Sequence, residues 1–232
     1  MKKMLLLLTI VINLIAISVS AFASDTTFLK EKLSTEKTND LIEDLAISVV
    51  YIEPKSQLNC IDISDDNTIA VGSSYGTEGV VSFYDSEGGF KHSFVFNSSG
   101  SFGLEWEKEN IKIFFERGDY EVTVNADGEV LDASVITNVN EIRNIVDSLY
   151  FSTKSVVGDT TYELKKTPLY LNKISSSYSQ LIITDASGNT NILCDVSDYQ
   201  AKETAILLVF FTTFFPTVFT IVTKIKNKKD KD

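Results

Sequence analysis

The sequence predicts an all-β domain held outside a membrane. It consists of about three copies of a four-stranded antiparallel unit, one short inserted helix and one C-terminal transmembrane helix. Three observations predict this. The same hairpin recurs as "VVSFYDSEGGFKHSF" (80–94), "YEVTVNADGEVLDASV" (120–135) and "SQLIITDASGNTNILCDV" (179–196). The N-terminus has the make-up of a secretory signal. Residues 205–223 form an uncharged run that ends at lysines.

The N-terminus, "MKKMLLLLTIVINLIAISVSAFASD", places Lys2 and Lys3 before an apolar run and ends in small residues at Ala21 and Ala23. Residues 1–23 read as a signal peptide, with an uncleaved anchor as the alternative. Residues 24–44 are polar with few apolar anchors and read as a flexible stalk or frayed helix. From Leu45 the texture becomes β-branched, and residues 45–200 are expected to form the extracytoplasmic domain.

The three hairpins align on Asp85-x-x-Gly88, Asn125-x-x-Gly128 and Asp185-x-x-Gly188. An Asp or Asn side chain can close such a turn, and Gly supplies a positive φ near its end. The upstream halves of the first two copies also match. Each reads strand, tight turn, strand, loop, strand, with Asp65-Asp66-Asn67 as the first tight turn. The third copy is spread out, with "TTYELKK" as a strand and "LYLNKISSSYSQLIITD" leading to its turn. Before it, Val139, Ile142, Val146 and Leu149 fall at helical spacing, with Asn140 as a candidate N-cap.

Residues 204–223 are expected to cross the membrane. The run from Ala205 to Thr223 covers about 28 Å at ~1.5 Å per residue, close to a ~30 Å hydrocarbon core. Pro216 lies mid-span, where a bilayer tolerates it. Lys224 opens a basic tail, 224–232, which the positive-inside rule keeps in the cytoplasm. The expected location is therefore the cell membrane, single-pass, with the large domain outside. The run of Phe210, Phe211, Phe214, Phe215 and Phe219 among threonines reads as lipid contact, or else as a helix-pairing face.

The net charge of -11 is concentrated in the middle of the chain, between basic ends. That excludes a nucleic-acid partner, because an acidic domain repels phosphate. No phosphate loop, G-x-S-x-G, H-E-x-x-H or Cys/His cluster occurs. No catalytic residue, metal ligand or cofactor site is therefore expected. The acidic turns "DISDDN" and "DSEGG" do not match a calcium loop and read as hairpin turns.

Four other features carry alternatives. His92, the one histidine, reads as an ordinary strand residue on the face of Phe90, Phe94 and Phe96. Cys60 and Cys194 could form a disulfide across the repeat array, but their apolar neighbours favour two buried free thiols. Trp106 alternates with Glu105 and Glu107 and reads as core, with the glutamates on a solvated face. Those two carboxylates could instead meet a cationic partner or serve as an acid/base pair.

"CIDISDDNTIAVG…VVSFYDSEGGF" resembles the blades of WD40-like, NHL-like and YncE-like β-propellers, well over 57–135 and loosely over 158–196. The Gly-His and Trp-Asp signatures of WD40 blades are absent. The resemblance implies a partial propeller of about three blades, with a twisted β-sandwich as the alternative. The chain is also similar to small uncharacterised single-pass membrane proteins of Gram-positive gut bacteria, and that likeness implies no activity. The function expected is a membrane-anchored binding module that meets a protein partner or another copy of itself at open strand edges. The alternatives are a glycan or cell-wall hydrolase using paired carboxylates and an accessory subunit of a membrane complex.

Overall fold

The computed structural model describes residues 28–51, 53, 56–166, 178–199, 201–202, 205–206 and 208–216. The expected signal peptide 1–23 and the expected basic tail 224–232 lie outside them. The described chain is mostly β, in three antiparallel sheets.

The N-terminal segment supplies β1 (Lys30–Lys32), α1 (Thr35–Leu45) and β2 (Ser48–Val50). Unit 1 is a meander of β3 (Gln57–Ile63), β4 (Ile69–Tyr75), β5 (Glu78–Tyr84) and β6 (Phe90–Asn97). Unit 2 repeats it with β7 (Phe102–Glu107), β8 (Asn110–Phe115), β9 (Tyr120–Val124) and β10 (Val130–Ile136). Helix α2 (Arg143–Tyr150) follows, then unit 3: β11 (Lys154–Val157), β12 (Thr160–Lys165), β13 (Gln180–Thr184) and β14 (Thr190–Asp195).

The three last turns are closed by the same bonds. The carboxylate or amide oxygen at the first position accepts from the backbone N–H groups two and four residues on, at 2.7–3.0 Å. Gly88, Gly128 and Gly188 carry φ of +88°, +84° and +81°, a region that L side chains avoid. Such a turn sets the register of the hairpin behind it.

Each sheet buries apolar residues against a neighbour, and the stacking order differs from the chain order. Phe83, Phe94 and Phe96 of unit 1 pack with Phe102, Leu104, Ile113 and Val122 of unit 2. The opposite face of unit 1, with Ile61, Ile69 and Tyr84, packs on Tyr162, Leu164 and Leu181 of unit 3. Phe114 and Ile136 on the far side of unit 2 are covered by Val139, Ile142, Val146 and Tyr150. Unit 1 is thus the middle layer. Close approach between layers requires Gly72, where a Cβ would strike Cys60, Phe102 and Leu104.

Several expectations are corrected. The segment 24–44 is no stalk from residue 30 onward. β1 pairs with β10, and Leu33, Leu41 and Leu45 pack on the unit 1–unit 2 core. Ser34 caps α1 by accepting from the Lys37 N–H at 3.4 Å, which satisfies one of the helix's unpaired N-terminal donors. Asn140 does not cap α2: the cap is Ile142, with no side-chain bond, and Asn138 instead accepts from the Leu29 N–H through its side-chain oxygen at 3.1 Å. Unit 3 holds four strands because "KSVV" pairs with β12.

Among the described residues no helix is long and apolar enough to cross a membrane. The expected span 204–223 lies partly outside them, including Thr223, as does Lys224 after it. Ala205 and Pro216 are described, and both are helical. Ile206, Leu208, Val209 and the four phenylalanines from 210 to 215 are exposed.

Candidate functional site

The clearest candidate is a cavity of about 450 Å³ where units 1 and 2 meet at one end. Four turns or strand ends build it. The β3–β4 turn brings Ser64, Asp65, Asp66 and Thr68. The start of β6 brings Lys91 and His92. The β7–β8 turn brings Trp106, Lys108 and Glu109. The repeated turn of unit 2 brings Asn125 and Ala126. The floor is Phe83, Phe94, Ile111 and Val124, all buried.

A β-bulge in the hairpin sets the His92 ring on this floor. Phe83 opposes His92 and Tyr84 opposes Phe90, so Lys91 is the extra residue. The bulge breaks simple alternation. Phe90 therefore turns to the unit 3 side, while His92 and Phe94 face unit 2. This corrects the expected single face for Phe90, His92, Phe94 and Phe96. His92 stacks on Phe83 with ring centres 4.7 Å apart and planes at 26°. Trp106 meets the same ring edge-on at 5.8 Å.

Two ring nitrogens stand out. His92 Nε2 and Trp106 Nε1 are buried and have no hydrogen-bond partner. An unpaired buried polar atom costs about 1–3 kcal/mol, and here both belong to residues lining one cavity. Burial, and secondarily the Lys91 charge, lowers the His92 pKa below its ordinary value. The ring is therefore neutral near pH 7 and offers one donor and one acceptor. The indole offers a donor only.

The rim is held by local bonds. The Ser64 hydroxyl donates to Asp66 and accepts from the Thr68 N–H at 2.9 Å. The Ser64 bond is the main cause holding the Asp66 carboxyl below its usual range. Lys91 Nζ donates to the Thr68 hydroxyl at 3.1 Å. Behind the cavity, Asp62 accepts the Trp106 backbone N–H at 2.6 Å, tying β3 to β7. Burial raises its pKa, partly offset by that bond.

The other singled-out residues lie elsewhere. Glu105 and Glu107 flank Lys112, at 3.6 and 2.7 Å, on the face opposite Trp106. Burial raises the Glu105 pKa, while the Lys112 bond lowers that of Glu107. Neither lines the cavity. Glu105 belongs instead to a cluster in which buried Glu121 accepts from Tyr150 and pairs with Lys30 at 2.7 Å.

Cys60 and Cys194 are both buried, with no disulfide between them. They sit on opposite sides of unit 1, in different core clusters, so the disulfide option is not realised. Burial pushes the Cys60 thiol up to about 12, which leaves it unreactive. Cys194 lies 3.8 Å from the Tyr84 hydroxyl, which donates to Glu53 at 2.9 Å. Of the six turn residues, Asn125 alone lines the cavity. Among the described residues no group of His, Cys, Asp and Glu could hold a metal.

No family model matches the chain, and no curated protein matches it. Among solved structures, the chain is similar to a protein of unknown function from Bacteroides caccae, at 14% identity and a TM-score of 0.27. The similarity covers 62% of this chain and 52% of that one, so the chain spans about half its length. A similarity of that size carries no argument about fold, and the propeller resemblance gains nothing from it.

Proposed function

We propose that this chain is a β-rich binding module, displayed outside a membrane by one C-terminal helix, with the cavity between units 1 and 2 as its binding site. The observation that carries the reading is the pairing of an apolar cavity with two unpartnered ring nitrogens. Such a site orients a guest without supplying a reaction.

The membrane reading draws support from the C-terminal helix. The Thr212 and Thr213 hydroxyls donate to carbonyls one turn back, at 2.9 and 2.8 Å, so these two hydroxyls are satisfied within the helix, as a bilayer requires. Phe210 stacks on Phe214 and Phe211 on Phe215. The lysines after residue 223 favour a cytoplasmic tail. We read the three sheets as an open, propeller-like array whose first unit sits in the middle. The twisted sandwich describes the same face-to-face packing and is the alternative. A protein partner or second copy remains part of this reading, because β14 is an outer strand that no fifth strand covers among the described residues.

The test uses the full chain in phospholipid nanodiscs, with a naphthalene-type hydrophobic dye and empty discs as the blank. The expected result is saturable energy transfer from Trp106, the one tryptophan, at one dye per chain. Ala126→Phe, an exposed rim change, should abolish it. Transfer that never saturates, or that survives Ala126→Phe, would count against the cavity as the site. External protease should cut the β region on intact cells and spare a tag on the C-terminal tail; the reverse pattern would refute the topology.

A further inference from the structure

We infer that the cavity takes a neutral, ring-sized apolar molecule bearing a hydroxyl: a phenol-type group. The inference rests on the binding-module reading above and adds the chemistry of the guest.

Three features select that chemistry. The floor is aromatic and aliphatic, with Phe83 presenting one face to His92 and an edge to Trp106. A flat ring fits among such surfaces by offset or edge-on contact. Next, the two unpartnered nitrogens ask for different things. Trp106 Nε1 can only donate, so the guest must bring an acceptor oxygen. His92 Nε2 can accept a hydrogen bond from a hydroxyl or, in the other tautomer, donate one to its lone pair. A phenolic O–H offers both functions in one group, whereas a carbonyl offers only the acceptor and a hydrocarbon neither. Both nitrogens are closed to solvent, so water does not satisfy them. To meet them the guest must turn the rings out of the packing seen here, in which His92 stacks on Phe83 and Trp106 meets it edge-on.

Finally, charge argues for a neutral guest. The rim sets Lys91 and Lys108 against Asp65, Asp66 and Glu109. Lys91 is engaged by Thr68 and Asp66 by Ser64. Three carboxylates outnumber two lysines among these lining groups, so an anionic guest meets net repulsion, and a buried unpaired charge is costly.

The same group arises as a free phenol or as a tyrosine side chain on a polypeptide. The probes are therefore p-cresol, N-acetyltyrosine amide, toluene and p-toluate, each titrated into the full chain in nanodiscs while Trp106 fluorescence is read. p-Cresol should bind about tenfold more tightly than toluene, the ratio expected when roughly 1.4 kcal/mol of hydrogen bonding is regained. p-Toluate should be weaker than p-cresol. A tighter fit for p-cresol than for the amide assigns a free small molecule, and the opposite order assigns a polypeptide tyrosine; both orders support the phenol chemistry.

Changing His92→Phe keeps the stacked ring and removes the acceptor. The cresol-to-toluene ratio should then fall to within about twofold. Should that variant fail to fold, the wild-type ratio alone decides. Equal binding of toluene and p-cresol would overturn the inference while leaving the dye result, and so the module, intact. No response to any probe where the dye still saturates would overturn it as well. Loss of the dye signal too would remove both readings.

Discussion

Units 1 and 2 differ from unit 3 in how their outer strands end. β6 carries β2 on its open side and β10 carries β1. Both added strands are three residues long and come from the segment before the repeats. β14 has no such cover among the described residues, and its Ile192 is half exposed. The repeat alone therefore leaves an open edge, which proteins normally protect. Here the N-terminal segment covers part of two of the three, with three paired residues on each. It also braces the body that contains the cavity, since Ile47 and Val49 pack on the same core as Phe83 and Trp106.

The sharpest way to break the unit 1–unit 2 body is at its shared core. Phe102 is buried against Phe96 and Phe115. Phe102→Ala should cost about 3–5 kcal/mol, lower the unfolding midpoint of the whole domain and loosen the cavity. Leu181→Ala, on the unit 3 side, should cost about 2–5 kcal/mol and leave the Trp106 emission unchanged. Thermal unfolding followed by Trp106 and by far-UV dichroism separates the two. Equal effects on Trp106 would mean the interfaces are not independent.

The brace itself is tested at Glu121. Glu121→Ala leaves Lys30 and Tyr150 without their partner and should cost about 3 kcal/mol, as when one member of a buried pair is lost. Hydrogen exchange should rise first at 30–32 and 133–136, the β1–β10 ladder. If exchange rises uniformly instead, β1 is no separate clasp. In the unaltered chain, β14 amides should exchange faster than those of β6 and β10.

The three glycine turns offer a finer comparison, because the turn is the same and the surroundings are not. A Cβ at Gly188 meets nothing within 4 Å, so Gly188→Ala should cost only the left-handed strain, about 1 kcal/mol. At Gly128 the Cβ would lie 2.9 Å from Val49 of β2, and at Gly88 it would strike Leu193 of β14. Those two substitutions should cost more, as read by denaturant midpoints. Equal costs at all three would show that the layers pack more loosely than described.

The smallest effect is on pH dependence. The folded state holds the His92 pKa below its ordinary value, mainly by burial. The unfolded chain therefore takes up the proton first as pH falls. Stability is full above the ordinary imidazole range and declines as pH drops through it toward the folded value. Lys91 adds to the shift; the other charged groups lining the cavity are Asp65, Asp66, Lys108 and Glu109. His92→Phe should flatten the slope of stability against pH in that window, measured by urea titration.

What was legible in the sequence was local. The Asx-Gly turns, the tight turn at Asp65-Asp66-Asn67 and the apolar spacing of α2 are set by residues within a few positions of one another. The packing was not. Nothing in residues 30–50 says that β1 and β2 will join different sheets, since three-residue strands carry no alternation. "KSVV" was too short to read as β11. The bulge at Lys91 depends on pairing with β5, so alternation alone put Phe90 on the wrong face. Trp106 and His92 each read as ordinary strand residues. Only the meeting of β3, β6, β7 and the unit 2 turn shows that their nitrogens go unpaired around a shared cavity.

The most direct measurement is the indole ¹H–¹⁵N resonance of Trp106 in the ¹⁵N-labelled full chain, recorded while p-cresol is added. A saturable downfield shift, absent in Ala126→Phe, is the predicted result: the indole N–H has gained an acceptor in the cavity. A resonance that does not move at any concentration would contradict the claim that this cavity is where the protein binds.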